Sequence, residues 1–431
     1  MCLRLSQWYI DLRLNESIPL IMQILNNYLN KHKSIDLLLS KEKVGAHLNV
    51  IQESLLYIGV LQKRKTPLFV VKENDVQVNL LKETLQSLNP NLDIVTFVYD
   101  ASLRVEAISA SDILKYDRVL ALNKIVTQDF DICIVDVVSS LRKISPKSIL
   151  STQQLSLQLN QELSMDTLQK KLMEMGYQRV KYVEKPFTYA MRGGICDVFG
   201  VGMENPLRIE FFDIEIDSMR YFDIESQRSI ETINKVVIPF SSEVILTEDD
   251  FTTIETSIRN DLKGKNETLI EHIEMQLDLM RHMQYEPNMY PLLAYWENYA
   301  TLLQYVTPQQ TFISPIESIE RMIETNEEAV HDFVLERVEN HLLLPNYHLY
   351  HDAYQLTSLD AYHFYEYQHD NALQLPWHLA NVASSDLNDL LSVIKKETID
   401  HRVILVMDEK HFERMTDTLL KENMNYMIFT D

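Results

Sequence analysis

The sequence predicts a multidomain α/β protein, and three observations carry that expectation. A chain of 431 residues is too long for one ordinary domain. From residue 36 to residue 138, short apolar runs alternate with amphipathic helical stretches, the signature of a parallel sheet with crossover helices. From residue 177 onward the period changes to two, with Gly, Pro and Asn between short runs, as in an antiparallel sheet.

In order, Leu20, Ile21, Ile24 and Leu25 place a helix over Ile18 to Asn30, followed by a strand at Asp36 to Leu39. A loop from Ser40 to Val44 leads to a helix from Gly45 to Leu61. Strand Pro67 to Val71, helix Asp75 to Leu88, strand Asp93 to Val98, helix Ala110 to Val126 and strand Asp131 to Val138 complete the alternation. A second unit begins near Gln153: Ser164 caps a helix to Met175, Gly176 stops it, short strands follow, and Pro239 ends the unit. Helices are then expected at Asp250 to Leu262, Glu267 to Met283, Tyr295 to Tyr305 and Ile316 to His341, with one strand at Gln310 to Ile313. After a linker over 342 to 360 come strand Tyr362 to Tyr367, helix Ser385 to Lys396, strand Arg402 to Met407, helix Glu409 to Glu422 and strand Tyr426 to Phe429.

Composition excludes several classes. With 63 acidic against 40 basic residues the formal charge is -23, which opposes a nucleic-acid surface spread over the whole chain, so any DNA contact is local. Three cysteines, Cys2, Cys133 and Cys196, are odd in number and widely spaced, which does not suit a disulfide framework; Cys133 and Cys196, inside apolar strand-like runs, read as buried thiols in a cytosolic protein. No run reaches the roughly 18 to 20 apolar residues of a membrane span, and Arg4, Asp11, Arg13 and Glu16 stand where a signal peptide is apolar. The expectation is a soluble cytoplasmic monomer without a membrane partner.

The loop after the first strand is where a phosphate cradle would sit. Aligning G-x-x-x-x-G-K-[ST] on it puts Ser40 at the first Gly, Gly45 at the second, Ala46 at the Lys and His47 at the hydroxyl residue. Lacking the cation and the Mg²⁺ ligand, it has little with which to hold a triphosphate. A lapsed nucleotide site and a domain that never bound nucleotide fit these residues equally. Asp136, at the end of an apolar strand, is expected to cap rather than to bind Mg²⁺. Acidic pairs such as Asp249-Asp250 and Glu327-Glu328 read as helix-dipole partners or solvated faces. His348 and His351 read as linker surface, so no metal and no catalytic residue is assigned.

The most informative stretch runs Arg192-Gly193-Gly194-Ile195-Cys196-Asp197-Val198-Phe199, then Pro206-Leu207-Arg208-Ile209-Glu210-Phe211-Phe212, then Glu215 to Ser218, closing with Phe222-Asp223 and Gln227-Arg228-Ser229. Adjacent strand residues face opposite ways, so Arg208 and Phe212 share a displayed face while Ile209 and Phe211 turn to the core. The Gly-Gly turn needs positive φ. Arginines with an exposed aromatic are the composition of a protein-binding hot spot. The alternative is a pair of strand arginines held by Asp197, Glu210 or Asp217.

This run resembles the small domain shared by the excision-repair protein UvrB and the bacterial transcription-repair coupling factors, whose pattern is close to R-G-G-I-x-D-x-F, P-x-R-I-E-F-F, E-I-x-S and F-D-x-x-x-Q-R-S. The Arg-Gly-Gly opening and Gln-Arg-Ser ending are those of the coupling factors; Ile214 is a departure. Weaker similarity extends over most of the chain, including Arg118, Leu122-Asn123 and the Leu293-Ala294-Tyr295-Trp296 run. The resemblance implies a degenerate P-loop-type domain in two parts, 1–152 and 240–338, an inserted α+β domain at 153–239, and a linker plus small α/β domain at 339–431. It favours the lapsed nucleotide site. It further implies that Arg192, Arg208 and Phe212 face the damage-sensing protein UvrA, so that the chain recruits UvrA to a stalled RNA polymerase. No cofactor is expected in this chain; ATP, Mg²⁺, the motor, and the contacts to RNA polymerase and DNA would lie in downstream domains. The competing reading is a UvrB-type or other helicase-like ATPase, against which Ala46 and His47 speak.

Overall fold

The computed structural model describes residues 29, 33–40, 48–98, 112–281, 287–346, 356, 359–367, 387–397, 399, 409–422 and 424. They fall into two compact units, one drawn from 1–65, 84–90 and 368–431, the other from 66–83 and 91–367.

In the first unit the run expected as a strand at 36–39 is helical, within Lys33–Ser40. Ile35 and Leu38 are both fully buried, and their spacing of three residues puts them on one helical face. Helix Val50–Arg64 is closed by a capping box in which Asn49 accepts from Gln52 N at 2.9 Å and Gln52 accepts from Asn49 N at 3.1 Å. Every residue from Gln52 to Val60 is buried, and Tyr57 donates to Glu53 at 2.6 Å. Helices Leu387–Glu397 and Glu409–Lys421 bury Leu391, Met415 and Leu419 together. The helix expected at 18–30, apart from Leu29, and the strands expected at 402–407 and 426–429 lie outside the described residues.

The second unit contains two sheets that matter for the site. Strand β1 (Leu68–Lys72), helix α1 (Asp75–Leu88), whose residues from 84 on count with the first unit, β2 (Ile94–Phe97), α2 (Asp112–Thr127) and β3 (Ile132–Asp136) follow in the expected alternation. A short helix α3 (Val137–Leu141) starts directly after β3, capped by Asp136, which accepts from Ser139 N at 3.0 Å and from its hydroxyl. With β12 (Thr311–Ile313) and β13 (Tyr362–His363) these strands form a parallel sheet ordered β13-β12-β1-β3-β2. All residues of β1 and β3 are buried, as a parallel sheet covered on both faces requires. The strand expected to open a last domain at 362–367 is instead an edge strand here, with Tyr362 stacked on Phe312 at 4.8 Å between centroids. The helix expected over 295–305 is replaced by 3-10 turns at Pro287–Tyr295 and Leu302–Gln304. Pro291, which lacks an N–H, sits inside the first.

Between β3 and β12 the chain leaves the parallel sheet to build a separate layer. Strands β4 (Leu155–Gln158) and β11 (Lys235–Ile238) pair antiparallel, Leu155 opposite Ile238, so the chain goes out and comes back side by side. Helix α4 (Met165–Glu174), capped by Ser164, and strands β5 (Gln178–Arg179), β6 (Thr188–Arg192), β7 (Ile195–Phe199), β8 (Leu207–Phe212), β9 (Glu215–Phe222) and β10 (Ser229–Thr232) lie between them. The six-stranded sheet is ordered β10-β9-β8-β7-β6-β5, antiparallel except between β5 and β6. One face packs Tyr189, Cys196, Val198, Leu207, Ile209 and Met219 against Leu168 and Leu172 of α4 and against β4 and β11.

The returning chain is tied back by polar contacts. Glu243 pairs with Arg118 of α2 at 2.7 Å with both side chains buried, and the Ser145 hydroxyl bonds the backbone of Ile245 in both directions. Helices α5 (Glu248–Asp261) and α6 (Glu267–Arg281) then pack around Trp296, and the long helix α7 (Ile316–Glu339) follows β12. Lys143 is buried and donates to the carbonyls of Leu293, Ala294 and Trp296 at 3.0, 3.3 and 3.3 Å, fixing the turn that carries Tyr295 and Trp296. Burial lowers its pKa to about 8.

Candidate partner-binding site

The second face of the six-stranded sheet is set by the pleat. Along β8, Leu207 and Ile209 are buried and Phe211 packs on the core, while Arg208, Glu210 and Phe212 point away from it. Opposite them on β9 stand Arg220 beside Arg208 and Ser218 beside Glu210, with a register shift between Glu210 and Phe211 that leaves Asp217 as the extra residue. Gly193 and Gly194 close the β6–β7 hairpin for different reasons. Gly193 has φ +58°, whereas a Cβ on Gly194 would stand 3.1 Å from the carbonyl oxygen of Phe211, so the end of β8 docks against the turn. Phe211 N donates to Gly194 O at 2.8 Å there.

Asp197 is the hub of this face. Its side chain is 3% exposed and its carboxylate takes Arg208 Nε at 2.7 Å and Nη2 at 2.9 Å, a bidentate pair, together with Arg192 Nη2 at 3.1 Å. Arg208 also bonds Gln227 at 2.9 Å and lies over the Phe222 ring at 4.2 Å; its side chain is only 13% exposed. Both arginines are thus held by the first of the acidic partners considered from sequence, but unequally. Arg192, 46% exposed, spends a single N–H on Asp197 and lies over the Tyr182 ring at 4.9 Å. Phe212 is 77% exposed. Arg208 is therefore a scaffold of the face, and Arg192 and Phe212 are what it displays.

A second ion pair stiffens the neighbouring row. Glu210 accepts from Arg220 at 2.5 Å and from the Ser218 hydroxyl at 2.8 Å, and the Arg220 bond, with the Ser218 bond behind it, holds the Glu210 carboxyl down at about 2. Sequence reasoning passed over Arg220 and Tyr182. Arg220 was readable, since it shares the alternation of β9; Tyr182 was not, because it sits in a connection without periodicity. Cys196 lies fully buried on the core side, where burial raises its thiol pKa.

Of the loop set against the phosphate-cradle pattern, Ser40 ends a helix rather than a strand, and Gly45, Ala46 and His47 lie outside the described residues. Among the described residues no group of three His, Cys, Asp or Glu is placed to hold a metal ion, and no helix is long and apolar enough to cross a membrane.

Comparison with known proteins meets this geometry at the same residues. Residues 155–243 match the family model of the UvrB interaction domain. The chain is 27% identical over 298 residues to the transcription-repair-coupling factor of Bacillus subtilis (strain 168), which covers 67% of this chain and 25% of that protein. It is 28% identical over 321 residues to the one of Staphylococcus epidermidis, covering 67% and 26%, and 27% identical over 278 residues to that of Staphylococcus aureus (strain USA300), covering 60% and 23%. The chain spans about a quarter of the length of these relatives. The resemblance to coupling factors is borne out.

Proposed function

We propose that a UvrB interaction domain inserted in a parallel-sheet host, in a chain similar to transcription-repair coupling factors, serves to recruit UvrA to a stalled RNA polymerase. The observation that carries the proposal is the displayed face itself: Phe212 and Arg192 stand out on the domain that matches the UvrB interaction family. An exposed phenylalanine offers an anchor whose burial is worth roughly 1.5–3 kcal/mol. An arginine with unspent donors offers charge-assisted bonds to a partner's carboxylates. Arg208 acts in this proposal by holding the strands that present them.

The chain performs recruitment and not catalysis. Ala46 and His47 supply neither the cation nor the hydroxyl that a Mg-triphosphate needs. ATP-driven translocation and contacts to RNA polymerase and DNA are assigned to the parts of such a coupling factor outside the matched quarter. Pull-down of UvrA is the test: capture is expected from the wild-type chain, with marked loss for Arg192→Ala and Phe212→Ala at unchanged circular dichroism. Undiminished capture by both overturns the docking reading. Calorimetric titration with Mg-ATP is expected to show no heat, and micromolar binding overturns the lapsed-site reading.

A further inference from the structure

Tyr182 lies in the connection between β5 and β6, 52% exposed, so that about half of a large aromatic side chain is left in solvent. Its neighbours hold it in place. Val183, next in the chain, is buried with Ala190 and Phe199 in a small cluster on the displayed face, so the connection is pinned to the sheet. Two cations then approach the Tyr182 ring, with Lys181 Nζ 5.5 Å and the Arg192 guanidinium 4.9 Å from its centroid. Lys181 is exposed and donates no hydrogen bond to another described residue, and Arg192 uses one of its five N–H donors. The result is a ring flanked by unspent donors.

The surroundings give the pair a sign. The chain carries -23 overall, and on the far side of the same sheet the β8–β9 hairpin exposes Asp213, Glu215 and Asp217, with Glu231 on β10. Positive charge is thus gathered at the β6 margin and negative charge at the β9–β10 margin. Two strand spacings across and two residues along separate Arg192 from Phe212, about 12 Å, so the cationic ring and the exposed phenylalanine form one strip.

We propose that Lys181, Tyr182 and Arg192 form a site for an acidic segment of the partner protein, extending the Phe212 contact across the sheet. This rests on the docking reading above. A carboxylate between Lys181 and Arg192 completes both cations over the ring, and the acidic β9–β10 margin repels the same segment and fixes its direction. The site therefore sets orientation and association rate as well as affinity.

The experiment measures binding of UvrA to the full chain by surface plasmon resonance at low and high ionic strength, with circular dichroism melts alongside. Lys181→Glu and Tyr182→Ala are expected to weaken binding about tenfold or more, equivalent to about 1.4 kcal/mol. Lys181→Glu should also flatten the salt dependence, and a short poly-glutamate peptide should compete with wild type but not with Lys181→Glu. If Phe212→Ala and Arg192→Ala weaken binding while Lys181→Glu and Tyr182→Ala stay within about twofold of wild type, the acidic-segment site is overturned and the docking reading stands. If no variant weakens binding, the docking reading falls and the site with it. Lys181-dependent retention of duplex DNA, without competition by the peptide, overturns the acidic-segment site in favour of a nucleic-acid contact.

Discussion

Replacing Asp197 by Ala removes three charge-assisted bonds at once but leaves both arginines in place. The Arg192 pair is nearly half exposed, so by the yardstick of surface ion pairs its loss costs about 0–1 kcal/mol. The Arg208 pair is different: the two side chains are 13% and 3% exposed, and breaking a buried pair by removing one partner costs about 3–5 kcal/mol. Arg208 keeps Gln227 and the Phe222 ring, which places the total at the low end, about 3 kcal/mol. Hydrogen exchange followed by mass spectrometry reads this locally. Peptides covering β6, β7 and β8 should exchange about a hundredfold faster in Asp197→Ala, since each 1.4 kcal/mol is a factor of about ten, while β1 and β3 peptides stay unchanged. Arg192→Ala should accelerate the same peptides only a few-fold. A change of less than about threefold in Asp197→Ala would refute the hub, and with it the division of labour between Arg208 as scaffold and Arg192 as contact.

Phe211→Ala should loosen the small domain by about 2–4 kcal/mol, because the ring packs on its core, whereas Phe212→Ala should stay within about 0.5 kcal/mol in a urea melt. Glu210, held at about 2 against an ordinary value of 4.5, contributes stability that is fully present above 4.5 and lost as pH falls towards 2. Glu210→Gln should remove that slope from an acid titration of stability. Lys143 has the same sign in a higher window and from a different cause: burial holds its folded pKa at about 8, below the ordinary 10.5, so stability should rise as pH climbs from 8 to 10.5. Lys143→Met should abolish that rise and, by stranding three carbonyls, destabilise the Trp296 turn by at least about 1–3 kcal/mol, seen as a red-shifted tryptophan emission on mild heating.

Where a pattern is local, the sequence carried it into the structure. The alternation of Leu207 to Phe212 orders the two faces of β8 without knowledge of its partners, because period two is a property of the strand itself. Asp136 as a cap and Ser164 as a cap are readable for the same reason. What failed was information held elsewhere in the chain. The run Asp36 to Leu39 is apolar in both a strand and a buried helix, and only its neighbours decide between them. Tyr362 finds its place beside Phe312, fifty residues earlier, and nothing near Tyr362 encodes that pairing. At the site, three acidic residues could have held the arginines; the register that sets Asp197 opposite Arg208 made the choice.

The pairing of β4 with β11 has a further reach. Because Leu155 and Ile238 are partners, the chain leaves its host and returns to it one strand spacing apart, about 4.8 Å, and beyond that seam Phe187, Val201 and Gly202 lean on α2 and the parallel-sheet core. To the host it is topologically a hairpin, whatever is folded beyond it. Such a seam lets the outer sheet be recoded, as long as Phe187 and Val201 are kept against the host core, without the register of β1, β3 and β12 being renegotiated. The grafting junctions to use in transplanting this face onto another parallel-sheet protein are therefore Leu155 and Ile238.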